Sequence, residues 1–419
     1  ERQSTGIYRA EGLALEPVMS VDFPHSIGAF YAAFTQYLGF RANSGEGKVM
    51  GLASYGRPSA HLEPMRRMIR LTDGGFEIDL TYFDYFRDGP TRYTQKLVDL
   101  LGPPREPESP LDDRHFDISY ALQAVTEEAL LHLARLAKEK TASEHLCVAG
   151  GVALNCVANG RIAGETPFRD YFFYPAAGDA GTSVGAAMYA THVLYGLGRS
   201  GAIATEYLGP SYGAREAERT FEKAGVVCSR LSNPMRAAAR MIADGLVIGW
   251  FQGRAEFGPR ALGNRSILAH PGIADMKDRL NARVKFREGF RPYAPSVVEE
   301  ACGDLFSSGV PSPYMLRAYR TLPSKLEALA AITHVDGTAR VQTVSRGQNE
   351  RYHALIREVG ELTGVPAVLN TSFNIRGEPI VHSVEDALKC FLTTGLDALF
   401  VGDFLVVKDA ALGGVYRES

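Results

Sequence analysis

At 419 residues the chain is long enough for two or three domains with separate cores, and 45% hydrophobic with 22% charged residues is the balance of a soluble globular protein. A net charge of −3 and a pI of about 6.4 lack the strong positive field that general nucleic-acid or membrane-surface binding requires, so neither partner is expected. Five cysteines, an odd number with no CxxC pair, exclude a zinc ribbon or a disulfide framework and point to the reducing cytoplasm; no membrane-spanning run or signal peptide is expected.

The chain starts at Glu1, and its first residues, ERQSTGIYRAEGLALEPV, alternate like a β-hairpin turning at Glu11-Gly12. So abrupt a start is expected of a piece of a longer polypeptide. Pro24-His25-Ser26 opens a helical pattern over 27–38, with Ser26 as its N-cap. Residues 39–58, GFRANSGEGKVMGLASYGRP, read as a Gly-rich loop with Glu46 and Lys48 at its centre, a composition able to cradle phosphate. Asp73-Gly74-Gly75 signals a second hairpin, and a long helix is predicted over 117–140, with Ile118, Ala121, Leu122, Val125, Ala129, Leu133 and Leu136 on one face.

A strand at 145–151 then runs straight into the helical VALNCVANGRIAG, and a second at 171–175 into AAGDAGTSVGAAMYATHVLYG. Two strand–glycine–helix junctions in succession predict an α/β architecture with a ligand at the sheet's C-terminal edge, where helix N-termini offer N–H groups to phosphate. Asp179, in the second junction, suits a metal or a ribose hydroxyl, and equally a helix cap.

After a linker at 202–210 and two more helices, the apolar run Leu246–Phe251 predicts a buried strand breaking into GRAEFGPRALGNRSILAHP, where Arg254, Arg260 and Arg265 alternate with glycines. From Trp250 to Arg291 nine Lys/Arg face four Asp/Glu, a net of +5 inside an acidic chain. Such an island predicts an anion site, because guanidiniums pair bidentately with phosphate or carboxylate. Lys277, Arg279 and Arg283 read instead as a solvated helix face. Arg340 opens a strand, a helix over 349–364 ends at Gly364, and the strand from Pro366 breaks into Asn370, Thr371, Ser372 and Asn374, short polar groups able to bind acyl or phosphate oxygens. Ser383 and Asp386 have capping-box spacing, and a final strand pair follows. His25, His270, His334 and His382 stand alone, with no HxxxH pair to make a metal site.

With these stretches the chain resembles the O-carbamoyltransferase family of NodU, CmcH and TobZ. The resemblance covers nearly the whole chain and rests on PHSIGAFYAAFTQYLGF, GEGKVMGLASYG, CVAGGVALNCVANGRI, GDAGTSVGAA, GRAEFGPRALGNRSILA, FREGFRPYAPS, HVDGTARVQTV and LNTSFNIRGEPIVHS. It implies an incomplete actin/hexokinase-like ATPase domain over 1–208, which performs carbamoyl transfer, followed by a YrdC-like α/β domain over 209–419. The second would make carbamoyl adenylate from carbamoyl phosphate and ATP, and the first would pass the carbamoyl group to a hydroxyl of a small-molecule natural product, as in antibiotic biosynthesis.

Carried over residue by residue, the family's carbamoyl phosphate and adenylate contacts fall on Arg260, Lys285, Arg291, Arg340, Asn370 and Ser372, with Asn374 beside them. Gly150, Gly151 and Asn155 would line a second nucleotide site, with Glu46 and Lys48 as further nucleotide-binding positions. Asp179 would be the one local ligand of an iron-like divalent metal, and Mg would accompany the ATP. The family's first phosphate loop, catalytic histidine and metal-binding histidine pair are expected upstream of Glu1, and that segment, as a separate chain, is a candidate partner. Two alternatives remain open: a nucleotide- and carbamoyl-phosphate-binding module without transfer activity, and a tRNA threonylcarbamoylation-type enzyme, which should carry more positive charge.

Overall fold

A computed structural model describes residues 2–199 and 205–416, and in it the chain divides into two units, Glu1–Ser200 and Gly201–Ser419. In the first, the alternating N-terminus folds as the expected antiparallel hairpin, β1 (Gln3–Glu11) with β2 (Ala14–Asp22). Ser26 accepts from Ala29 N and starts the helix Ile27–Tyr37, whose buried Phe30 and Phe34 pack edge-on against Phe83. The second hairpin pairs β3 (Ile69–Thr72) with β4 (Gly75–Ile78).

The Gly-rich stretch corrects the expectation of a loop: Glu46–Ala53 is a helix. Val49, Leu52 and Ala53 form one buried face, and the Glu46 carboxylate accepts from Asn43 N at 2.6 Å. The long helix also starts earlier than predicted, running Asp113–Thr141, because Asp112 and His115 close a capping box. The predicted apolar stripe is its buried face. β5 (His145–Val148) and β6 (Asp170–Phe173) pair in parallel. Each leads into a helix, Cys156–Glu165 and Ala180–Tyr189, and the latter has no buried residue.

The second unit is built on one mixed nine-stranded sheet. Its strands in chain order are β7 (Ser229–Arg230), β8 (Ile248–Phe251), β9 (Arg265–Ala269), β10 (Ala294–Val298), β11 (Arg317–Arg320), β12 (Thr338–Val344), β13 (Ala367–Ser372), β14 (Ala398–Val401) and β15 (Phe404–Val407). They lie side by side as β11-β12-β10-β13-β9-β8-β14-β15-β7. β8 reads as a continuous apolar run because both sheet faces are covered. Ile267, Ala269, Ala367 and Leu369 join one core with Phe221, Met276, Leu280 and Phe391. Leu268, Val368, Ile248 and Trp250 join another with Met241, Ile242, Leu355 and Ile356. The expected α/β class is what is found. A short helix over Ala410–Tyr416 was not anticipated.

Candidate functional site

Register fixes which residues meet in the second unit. β13 runs antiparallel to β9, with Ser372 opposite Ser266 and Asn370 opposite Leu268. On its other side Asn370 faces Ala294, the first residue of β10, and β12 runs parallel to β10 with Gln342 opposite Ser296. One end of the sheet therefore receives four segments: the 252–264 loop with Arg260, the 285–293 loop, the start of β12 with Arg340, and the loop after β13 with Asn374. Strand order brings the segments that carry the predicted second-unit residues to this end, and Asn370 bonds the Ala261 carbonyl across 109 residues of sequence.

Lys285 is the centre of this arrangement and is 4% exposed. It closes a π-helical turn, Asn281–Lys285, and is followed by Phe286 in the left-handed region at φ +46. A bulky residue adopts that conformation only under constraint, and such turns cluster at functional sites. Nζ of Lys285 donates to the Ser372 carbonyl at 2.6 Å, Ser372 Oγ at 3.2 Å, the Asn374 carbonyl at 3.0 Å and Asn374 Oδ1 at 2.6 Å. Burial first, then the neighbouring Arg287 and Arg291, pushes the Lys285 ammonium well below the usual lysine range. All four partners are oxygens, so the Lys285 nitrogen is the donor in each of these bonds. Ser372 Oγ in turn donates to Asn374 Oδ1 at 2.7 Å.

Around it stand further cations. Burial pushes Arg287 down to about 10, with Arg291 and Arg340 adding to the effect, and burial also lowers Arg291, with Arg340 and Arg376 contributing. Guanidiniums that depress one another in this way share a site. Arg287 lies 4.3 Å over the Tyr293 ring and donates to Asn281 Oδ1 at 3.1 Å, and that oxygen also accepts from Tyr293 OH at 2.7 Å. Glu288 is 3.8 Å from Arg291. Such an excess of cations has the electrostatics that would suit an anion. Arg287 and Arg376 were not picked out from the sequence; Arg287 stood in the basic island but nothing local separated it from its neighbours.

Several cations of the island instead bond framework groups. Arg265 is fully buried and structural: it donates to the carbonyls of Gln252, Asn264, Pro210 and Gly253, and lies 3.6 Å over the Phe251 ring. Arg254 donates to the Leu208 carbonyl at 2.7 Å. The solvated-face reading holds for the exposed Arg283 and needs correction for the half-buried Lys277 and Arg279. Arg279 bonds the Gly245 carbonyl at 3.1 Å, Arg283 pairs with Asp397 at 2.9 Å, and burial lowers Lys277, with Arg287 acting on it too.

Asn370 is buried, and its Nδ2 donates to the Ala261 carbonyl, Ser296 Oγ and Gln342 Oε1 at 3.2, 2.9 and 3.0 Å. Its Oδ1 has no hydrogen-bond partner. Asn370 thus braces the Arg260 loop besides standing beside Ser372.

In the first unit the two strand–helix junctions lie side by side, tied by Gly150 N donating to the Ala177 carbonyl at 2.7 Å. Gly150 has φ +102, and a Cβ at Gly150 or Gly151 would meet nothing within 4 Å, so the backbone is open to an approaching group. Asn155 caps the following helix through Ala158 N and pairs reciprocally with Gln123 at 3.0 Å in both directions. Glu46 and Lys48 are placed on the helix described above, with Lys48 Nζ 5.5 Å from the Phe40 ring. Asp179 is exposed at the start of Ala180–Tyr189 and makes no side-chain cap bond. Among the described residues no group of three or more His, Cys, Asp or Glu side chains gathers to hold a metal, so Asp179 alone does not fit an iron site.

The fold is α/β, with a cluster of cations at one sheet end. Comparison with known sequences places it further. The description "Carbamoyltransferase N-terminus" matches residues 3–188, and "Carbamoyltransferase C-terminus" matches residues 239–408. The chain is 43% identical over 440 residues to an uncharacterised protein of Synechocystis sp., covering 98% of this chain and 71% of that one. It is 43% identical over 407 residues to nodulation protein NolNO of Sinorhizobium fredii, covering 96% and 58%. It is also 43% identical over 400 residues to nodulation protein NolO of Bradyrhizobium diazoefficiens, covering 93% and 71%. The chain belongs to the carbamoyltransferase family. It spans 58% to 71% of the length of these three relatives.

Proposed function

We propose that the protein is an ATP-dependent O-carbamoyltransferase whose second, YrdC-like unit makes carbamoyl adenylate and whose first, actin/hexokinase-like unit passes the carbamoyl group to a small-molecule hydroxyl. The observation that carries this reading is the buried Lys285 ammonium, bound to Ser372 and Asn374 and surrounded by Arg287, Arg291 and Arg340. Carbamoyl phosphate, ATP and water would give carbamoyl adenylate, pyrophosphate and phosphate. Arg260, Lys285, Arg291 and Arg340 would bind the phosphate oxygens and stabilise charge developing on the departing pyrophosphate, with Mg arriving on the nucleotide. Ser372 and Asn374, fixed by Lys285, would orient the carbamoyl end. In the transfer step the acceptor oxygen attacks the carbamoyl carbon, AMP leaves with the bonding electrons, and the hydroxyl proton passes to a base. Gly150, Gly151 and Asn155 would line the nucleotide site there. We route no step through iron.

The cytoplasm, where five free cysteines stay reduced, is the proposed location. No helix among the described residues is long and apolar enough to cross a membrane. The near-neutral charge favours a small-molecule acceptor over tRNA. The test is release of pyrophosphate from ATP by the 419-residue chain, with and without carbamoyl phosphate, and chromatographic detection of carbamoyl adenylate. Release that depends on carbamoyl phosphate supports activation. Tight binding of carbamoyl phosphate and ATP without pyrophosphate release would establish the binding-module alternative instead.

A further inference from the structure

The 252–264 loop joining β8 to β9 has no regular secondary structure, and strand register brings it, with Arg260, to the sheet end where the other cations gather. Loops of this length in compact domains are functional or disordered, and this one is pinned. Its pin is Glu256. The Oε1 atom of Glu256 accepts from three backbone N–H groups across the loop: Leu262 at 2.7 Å, Asn264 at 2.8 Å and Arg265 at 3.1 Å. Outside the loop, Asn370 holds the Ala261 carbonyl, and Tyr207 OH and Gln342 Nε2 both hold the Leu262 carbonyl at 2.9 Å. The peptide units directly after Arg260 are therefore fixed from both sides, the inner side by one carboxylate oxygen. Carboxylate acceptors make the shorter and stronger hydrogen bonds, so three converging on one oxygen form a stiff knot.

We infer that Glu256 is a positioning residue for anion binding, acting through Arg260: its carboxylate knots residues 262–265 so that the Arg260 side chain is presented at the sheet end. This rests on the reading of the cation cluster as the phosphate-binding site. Glu256 itself touches no substrate.

The experiment uses the full chain with Glu256→Ala, Glu256→Gln, Arg260→Ala and the two double variants. Amide hydrogen exchange across 257–265 reports the knot directly, and calorimetric binding of inorganic pyrophosphate reports presentation of Arg260. Glu256→Ala should speed exchange of the Leu262, Asn264 and Arg265 amides and weaken pyrophosphate on the order of tenfold, the scale of one lost charge-assisted hydrogen bond. Glu256→Gln keeps an Oε1 acceptor and should lose about half as much on a logarithmic scale, since neutral acceptors bind roughly half as strongly. In the Arg260→Ala background neither Glu256 change should weaken pyrophosphate further, whereas a merely structural residue would add its full penalty. Additive losses, or unchanged exchange in Glu256→Ala, overturn the inference. If Glu256→Ala loses its near-ultraviolet dichroism, the Glu256→Gln pair decides by the same two criteria. If the wild-type chain does not bind pyrophosphate at all, the anion-site reading fails by itself, and the exchange data then still decide whether Glu256 forms the knot.

Discussion

Replacing Lys285 by methionine separates the cost of burying a cation from its use. The side chain is 4% exposed, and its four acceptors come from only two residues, Ser372 and Asn374. Methionine has nearly the same length and removes the ammonium's desolvation penalty; it leaves the Asn374 carbonyl without this donor, while the Ser372 carbonyl still accepts from Asn374 N at 3.1 Å. Each orphaned acceptor costs about 1–3 kcal/mol, and relief of the buried charge returns several kcal/mol, so folding stability should change by about 2 kcal/mol or less. Anion binding has no such compensation. Loss of one desolvated charge contact costs about 2–5 kcal/mol, or roughly 30-fold to several thousand-fold in carbamoyl-phosphate-dependent pyrophosphate release.

The pH dependence tests the same residue. A cation whose folded pKa is lowered is protonated in the unfolded chain but not in the folded one between the two values. The unfolded state holds more protons there, so stability rises with pH across that window, up to the ordinary lysine value of 10.5. Activity should fall over the same window as the ammonium is lost. The methionine variant should show neither limb. Denaturant melts and pyrophosphate assays at stepped pH measure both, and a folded Lys285→Met protein with release within threefold of wild type would refute the reasoning.

Gly263 has φ +106, and a Cβ there would sit 2.1 Å from Tyr352 Cδ1, so Gly263→Ala should cost about 3 kcal/mol or more in a denaturant melt, whereas Gly289→Ala, with nothing within 4 Å, should be nearly neutral. Ser372→Ala removes a hydroxyl that bridges Lys285 and Asn374, and should raise the KM for carbamoyl phosphate more than that for ATP; equal changes would mean that the loop only shapes the pocket. Arg279→Ala should leave pyrophosphate release unchanged, because that guanidinium serves the Gly245 carbonyl, and lower stability by about 1 kcal/mol. Asn155→Ala removes both a helix cap and the amide pair with Gln123 and should cost about 1–2 kcal/mol of stability, with nucleotide binding weakened as a separate readout.

What was legible in the sequence was what local rules determine. Ser26 and Ser383 announce their helices because a cap depends on bonds three residues away, and both make them. β8 is legible because its apolar run has no other home. The stretch around Glu46 misled because glycines tolerate a helix when a neighbouring face, here Val49, Leu52 and Ala53, can be buried. The basic island shows the deeper limit. Composition gives nine cations one after another, but whether each binds a ligand or a carbonyl is decided by chain far away: Arg265 by Pro210, Arg283 by Asp397, Lys285 by Ser372 and Asn374. Arg254 in the loop, Arg265 at the start of β9, and Arg279 and Arg283 on the helix side bond framework groups, and so do Lys285 and Arg287. Lys285, Arg287 and Arg291 converge where β13 ends, alongside Arg340 from a strand fifty residues further on. Cations that are already neutralised by carbonyls rigidify a loop. Cations that depress one another at a sheet end repel, and an anion between them would relieve that repulsion; the proposed anion site rests on this difference, which is invisible in the island's net charge.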